Sequence, residues 1–445
     1  MANTKLQKAF SAEGDNIYKW TYSFWVKRGT LGGDQAMASA YYSASYQGRI
    51  LFRSDDQLEV FDYWNGSYTL QKKLNRKFRD TSAWYHIVVS NDNTQASADD
   101  RTKIYVNGVQ ETSFATNTQY PQNQRTTFGN DYTHYIGSYG SGDYLDGSMS
   151  HIHFIDGTAY APTEFGETDS TTGEWKIKTN VSVTYGSNGY FILKDGNSVT
   201  DQSGEGNNFT VGGGTLTDTL DCPANVFATL NSLYKTVACT LSNGSTKSQI
   251  TSATSKYAPG STIKVSSGKW YAEFKCNSNG GAEQQAVGLY GDEQNASSND
   301  QGVGKANDSY SWRSDGEWMV DNTGSPDFNS YGSGDIISIA LDLDNNYLYF
   351  AKNGVWENSG DPTSGATGTG GKSITAASGV VDGVYSMGAG SNSSGNLSDW
   401  SANFGNGYFG TTAVASAGTN ASGIGIFEYD VPTGYTALST KGLNL

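Results

Sequence analysis

Apolar and polar positions alternate along much of the chain. Trp20, Tyr22, Phe24 and Val26 alternate with Thr21, Ser23, Trp25 and Lys27, the period of a strand with one buried face. Arg49 to Arg53 and Leu58 to Asp62 read as the next pair of strands, and Trp84 to Ser90 as a dense apolar one. Lys103 to Val106 runs into Asn107-Gly108 and continues through Val109; Asn-Gly between apolar runs predicts a tight hairpin. His134 to Ser138, Ser148 to Asp156 and Tyr190 to Leu193 complete a first set of strands, with a short helical turn at Pro162 to Gly166.

A stretch rich in Gly, Asn and Thr follows, from about Asp195 to Asp221, and includes Gly212-Gly213-Gly214. Such composition predicts a bridge between domains. The expected division is therefore residues 1–204, a bridge at 205–225, and residues 226–445. The second region repeats the strand pattern at Lys269 to Cys276, Ala286 to Tyr290, Ile336 to Asp342, Tyr347 to Ala351, Tyr385 to Ala389 and Trp400 to Phe404. Asp344-Asn345-Asn346 and Asn353-Gly354 are turns between them.

Composition agrees with an all-β chain. The 445 residues include 55 Gly and 29 Tyr but only 7 Pro, and charged residues make up 16%. The length suits two domains of about 200 residues each. Net charge is −15, so no broad electrostatic attraction to nucleic acid is expected. No apolar run approaches the roughly 18 residues of a membrane span. The first twenty residues lack the apolar core of a signal peptide. Three cysteines, Cys222, Cys239 and Cys276, do not make a disulfide framework, as expected of a protein made in a reducing compartment.

Two stretches resemble known families. Trp84-Tyr85-His86-Ile87-Val88-Val89, Ile104-Tyr105-Val106-Asn107-Gly108-Val109, Tyr135-Ile136-Gly137 and Leu145-Asp146-Gly147-Ser148-Met149 together resemble the concanavalin A-like, laminin G and pentraxin jelly roll, over about residues 15–195. Gly268-Lys269-Trp270-Tyr271-Ala272-Glu273-Phe274, Gly334 to Asp342 and Tyr349-Phe350-Ala351-Lys352-Asn353-Gly354 resemble the SPRY domain, over about 255–410. The resemblances imply two antiparallel β-sandwiches in tandem. His153 to Ala159, Pro162 to Glu167, Asp221 to Asn225 and Pro432 to Thr440 are similar to signatures of virion proteins from marine tailed bacteriophages. That likeness implies a particle-surface protein made in the host cytoplasm: capsid decoration, head fibre or tail fibre. Its implied partners are other virion proteins, further copies of itself and host surface glycans.

Glycoside hydrolases of this fold carry a Glu-x-Asp-x-x-Glu strand, and none occurs; Glu164 and Glu167 flank a turn, and Glu428 and Asp430 fall in the terminal segment. No phosphate-binding Gly motif is found. His151 and His153, with His86, have spacing for zinc or for sheet packing. Asp143 and Asp146 are weak calcium candidates by likeness to pentraxins, or residues of a solvated turn. Tyr310, Trp312 and Trp318 are candidates for stacking on a ligand, or core residues. Trp25 lies on the polar phase of its strand, which places it at a subunit contact or beneath a second layer of the same domain. The expected function is a non-enzymatic adhesion or assembly protein with no cofactor. A polysaccharide depolymerase is the alternative, and a bacterial surface lectin a third reading.

Overall fold

The computed structural model describes residues 3–140, 142–194, 198–252, 255–278, 284–391 and 397–444. The chain divides into two units: Met1–Asp218 with Cys222–Ala224, and Thr219–Asp221 with Asn225–Leu445. Each is a β-sandwich.

In the first unit the strands run β1 (Lys5–Ala9), β2 (Lys19–Arg28), β3 (Gln35–Ser43), β4 (Tyr46–Phe52), β5 (Gln57–Trp64), β6 (Ser67–Lys77), β7 (Trp84–Asp92) and β8 (Thr102–Val106). They continue with β9 (Val109–Gln110), β10 (Phe114–Thr118), β11 (Thr133–Ile136), β12 (Gly147–Asp156), β13 (Gly166–Thr168), β14 (Trp175–Ile177), β15 (Tyr190–Ile192) and β16 (Thr210–Gly213). One sheet has the order β10-β6-β5-β4-β3-β11-β1-β16, and the other β15-β12-β2-β7-β8-β9. Alternation sends Leu6, Ile50, Phe52, Val60 and Ile136 from the first sheet, and Trp20, Tyr22, Phe24, Ile87, Val89 and Phe154 from the second, into one shared core. The hairpin at Asn107-Gly108 forms as the sequence predicts, both residues having positive φ (49° and 79°).

Two expectations change here. The supposed bridge begins later, because Thr210–Gly213 pairs antiparallel with β1. The strand β2 is buried on both faces, not one. Residues 157–186 lie over its outer face, fastened where Thr21 donates to the Thr158 carbonyl (2.8 Å) and accepts from the Tyr160 N–H (2.8 Å).

Trp25 is consequently enclosed within its own unit, 4% exposed. It stacks on His86 (ring centroids 4.8 Å apart), whose Nδ1 accepts the Trp175 indole N–H (2.9 Å). A Cβ on Gly108 or Gly166 would approach the Trp175 ring to 2.6 or 2.5 Å, so both positions need glycine for the ring to seat. The assignment of Trp25 to a subunit contact is therefore corrected: the outward phase was real, and a second layer covers it.

In the second unit, one sheet centres on Lys269–Ser278 and Ile336–Asp342 and reaches its edge at Val355–Trp356. The other is built on Gln285–Tyr290, flanked by Ser309–Arg313 and Ser386–Ser391. Trp270, Phe274, Ile337 and Ile339 face Val287, Leu289, Trp312 and Met387 across the core. The C-terminal segment is part of this unit. Thr436–Ala437 pairs with Trp270–Tyr271, and buried Glu273 accepts the Glu428 and Tyr429 backbone N–H groups (2.8 and 2.9 Å).

Candidate functional site

The outer face of the eight-stranded sheet brings together rings and fixed polar groups. Register sets them in rows. Tyr135, Ser39, Arg49, Phe61 and Gln71 lie opposite one another on successive strands. The next row holds Thr133, Tyr41, Gln47, Tyr63 and Tyr68. A register shift between Asp62 and Tyr63 turns Tyr68 to this face, where its ring meets Tyr63 (4.9 Å) and Phe61 (5.5 Å) edge-on. Tyr68 is 45% exposed.

Arg49 organises the centre. Its guanidinium lies 3.1 Å from the Tyr139 ring centroid, donates to Asp143 (2.7 Å) and holds the Gln47 side-chain oxygen through two N–H groups (3.0 and 2.6 Å). Tyr139 in turn meets Tyr41 edge-on at 5.0 Å. Beside it, buried Glu59 pairs with Arg53 and accepts from Gln71 (2.8 Å). These bonds hold the amides and rings in place before any ligand arrives, which reduces the ordering cost of binding.

On the opposite side of the same strands, near the Asn65-Gly66 turn, Tyr132, Tyr42, Tyr46 and Trp64 form a row. Tyr42 stacks on Tyr132 at 5.2 Å and meets Tyr46 at 6.3 Å, and Tyr46 meets Trp64 at 5.2 Å. Tyr42 is 67% exposed. Planar rings beside hydroxyl and amide groups suit ligands that present both C–H faces and hydroxyls.

The residues singled out from sequence lie elsewhere. Tyr310 and Trp312 are buried. The Tyr310 hydroxyl donates to Thr375 (2.9 Å), and the Trp312 indole donates to the Asn329 carbonyl (3.0 Å). Half-buried Trp318 packs on that core with its ring stacked on Tyr310. Alternation aims Tyr310 and Trp312 inward, so they are corrected from ligand platform to core.

Asp143 gives its carboxylate to Arg49, and the Asp146 carbonyl accepts the Gly29 N–H. His151 sits at a bulge with positive φ (49°), which breaks its alternation with His153. His153 bonds the Tyr185 hydroxyl (2.8 Å), and His86 bonds Ser23 (2.8 Å) and Trp175 (2.9 Å). Burial holds the His86 pKa down at about 3 and His153 well below the ordinary histidine value. Among the described residues, no three His, Cys, Asp or Glu side chains converge as a metal site requires. Exposed Glu167 pairs with Lys176 (3.6 Å), and Glu428 and Asp430 accept backbone N–H groups of Ala415 and Thr419.

The concanavalin A-like lectin/glucanases superfamily matches residues 7–164, and the SPRY domain matches 269–372. The chain carries these two domains in that order. Among curated proteins, none matches the sequence. Similar solved structures include a heptameric pentraxin from Limulus polyphemus (15% identity, TM-score 0.27, 35% of this chain and 71% of that one). Another is the SPRY domain of human HERC1 (17% identity, TM-score 0.27, 37% of this chain and 91% of that one). A third is domain 4 of an extracellular arabinanase from Geobacillus stearothermophilus in complex with arabinotriose (15% identity, TM-score 0.25, 32% of this chain and 63% of that one).

The ring face belongs to the lectin/glucanase-type domain. Its sequence signal was present but weak: Phe61 and Tyr63 share one strand face, and Tyr68 follows just past the Asn65-Gly66 turn.

Proposed function

We propose that the protein is a non-enzymatic adhesion component of a bacteriophage particle, a capsid decoration, head fibre or tail fibre, that binds host surface glycans. The observation that carries the glycan part is the face where Tyr41, Tyr63, Tyr68 and Tyr139 stand among Gln47, Arg49 and Gln71. The lectin/glucanase description of the matching superfamily supports it. The particle assignment rests on the likeness of Pro162 to Glu167 and Pro432 to Thr440 to phage virion signatures. In this reading the chain is made in the host cytoplasm and joins other virion proteins as a homo-oligomer.

The test is a panel of host surface polysaccharides incubated with the purified protein. Retention without release of reducing ends is the expected result. Release of reducing ends would establish the depolymerase reading instead, and no retention on any member would overturn the adhesive one. Labelled antibody on intact particles tests the location: labelling of the head or tail is expected, and none on any particle would overturn the virion assignment.

A further inference from the structure

The second unit has a pocket of about 500 Å³ at the sheet edge, walled by Asp327, Phe328, Val355, Trp356 and Glu357. Glu357 is only 7% exposed. One of its oxygens, Oε2, accepts the Asn329 backbone N–H (3.0 Å) and the Asn329 side-chain amide (2.9 Å). Oε1 takes no hydrogen bond from any described residue, and no Lys, Arg or His among them pairs with this carboxylate. A carboxylate oxygen that no protein donor engages is free to accept from a cation, a charge-assisted bond stronger than a neutral one. Here the acceptor left over faces a pocket.

The walls suit a cation. Phe328 and Trp356 supply aromatic rings, and Val355 supplies an apolar surface that is 71% exposed. The Phe328 ring already carries one ammonium, since Lys372 Nζ lies 5.4 Å from its centroid while pairing with Asp327 (3.0 Å). The floor at Asn358 and Ser359 has left-handed backbone at both residues (φ 53° each), a conformation retained where surrounding structure imposes it.

We propose that this pocket takes an ammonium or guanidinium on an apolar stem, the end of a lysine or arginine side chain. The cation meets Glu357 Oε1, and the stem lies along Val355. This inference is independent of the glycan reading.

The full chain is titrated with Nα-acetyl-lysine N-methylamide, its arginine counterpart and the neutral norleucine isostere, followed by the Trp356 indole resonance. Saturable shifts with the lysine or arginine probe, weakened by salt and absent with norleucine, are expected. Glu357→Gln keeps an acceptor for Asn329 and should weaken binding at least about tenfold. Equal response to norleucine, no saturable shift with either cation, or undiminished binding by Glu357→Gln would overturn the proposal. Should that variant fail to fold, the cation-against-norleucine contrast and its salt dependence decide. A Lys-containing and an Arg-containing peptide then show which side chain is preferred; binding of neither, with the single-residue probes bound, overturns the side-chain assignment.

Discussion

Trp25 shows what alternation along a strand can and cannot tell. Its phase was legible, since it falls between Phe24 and Val26 on the face away from the core. Its surroundings were not, because the cover comes from residues about 150 positions later in the chain, Trp175 among them. Trp25→Ala should therefore leave association unchanged and destabilise the first unit by about 3–5 kcal/mol, the usual cost of emptying a large aromatic site. Denaturant unfolding of the variant checks this. A loss under 1 kcal/mol accompanied by loss of self-association would restore the interface reading. Tyr310 and Trp312 teach the converse: aromatic residues near Gly-rich loops were open to two readings, and inward alternation decided for the core.

At the scale of elements, most strands could be read from their period, and so could the Asn107-Gly108 turn and the Asp342 to Asn346 turn. The latter forms with Asp342 accepting the Asp344 and Asn345 N–H groups. The pairing of β1 with β16 could not. Glycine-rich sequence reads as linker, and nothing local shows that Thr210–Gly213 meets a strand some 200 residues earlier. That pairing changes what an N-terminal truncation does. Removing residues 1–18 takes away β1 and Phe10. Leu6 and Phe10 are core residues, and β1 lies hydrogen-bonded between β11 and β16. Deletion would bare the β11 edge and open the core. The expected product is insoluble or binds a hydrophobic dye; a soluble chain with native circular dichroism and unchanged melting would contradict this.

For the molecule as a whole, the two units should respond oppositely to acid. All four histidines lie in the first unit. Burial depresses His86 and His134 from 6.5 to about 3, and His153 also well below. They stay neutral when folded, while the unfolded chain takes up protons below pH 6.5. Their contribution is thus present above that pH and lost as pH falls toward 3. Asp62, raised by burial to about 7, and Asp156, also raised by burial, work in the opposite direction, two groups against three. In the second unit burial raises Glu273 from 4.5 to about 7; the folded state keeps its proton there, so stability rises as pH falls from 7 to 4.5. Since one pKa unit is about 1.4 kcal/mol, His86 and His134 each remove on the order of 3 kcal/mol by pH 4.5, and His153 acts in the same direction. Scanning calorimetry should show the first unit's transition falling and the second's holding or rising, with Glu273→Gln removing the rise. Parallel movement of both transitions would contradict it.

The tandem of two sandwiches was legible at this scale because each carries its own strand order and turns. The ring face was not, because it assembles from five strands whose registers only the fold supplies. Glycan binding stands or falls with that face, and the decisive measurement is calorimetric titration of the Tyr63→Ala/Tyr68→Ala double variant with a polysaccharide retained by the native protein. Affinity should fall about a hundredfold, at roughly 1–1.5 kcal/mol per ring, with the melting transition of the first unit within a few degrees of the native one. Unchanged affinity in a folded double variant would contradict it and place the glycan elsewhere.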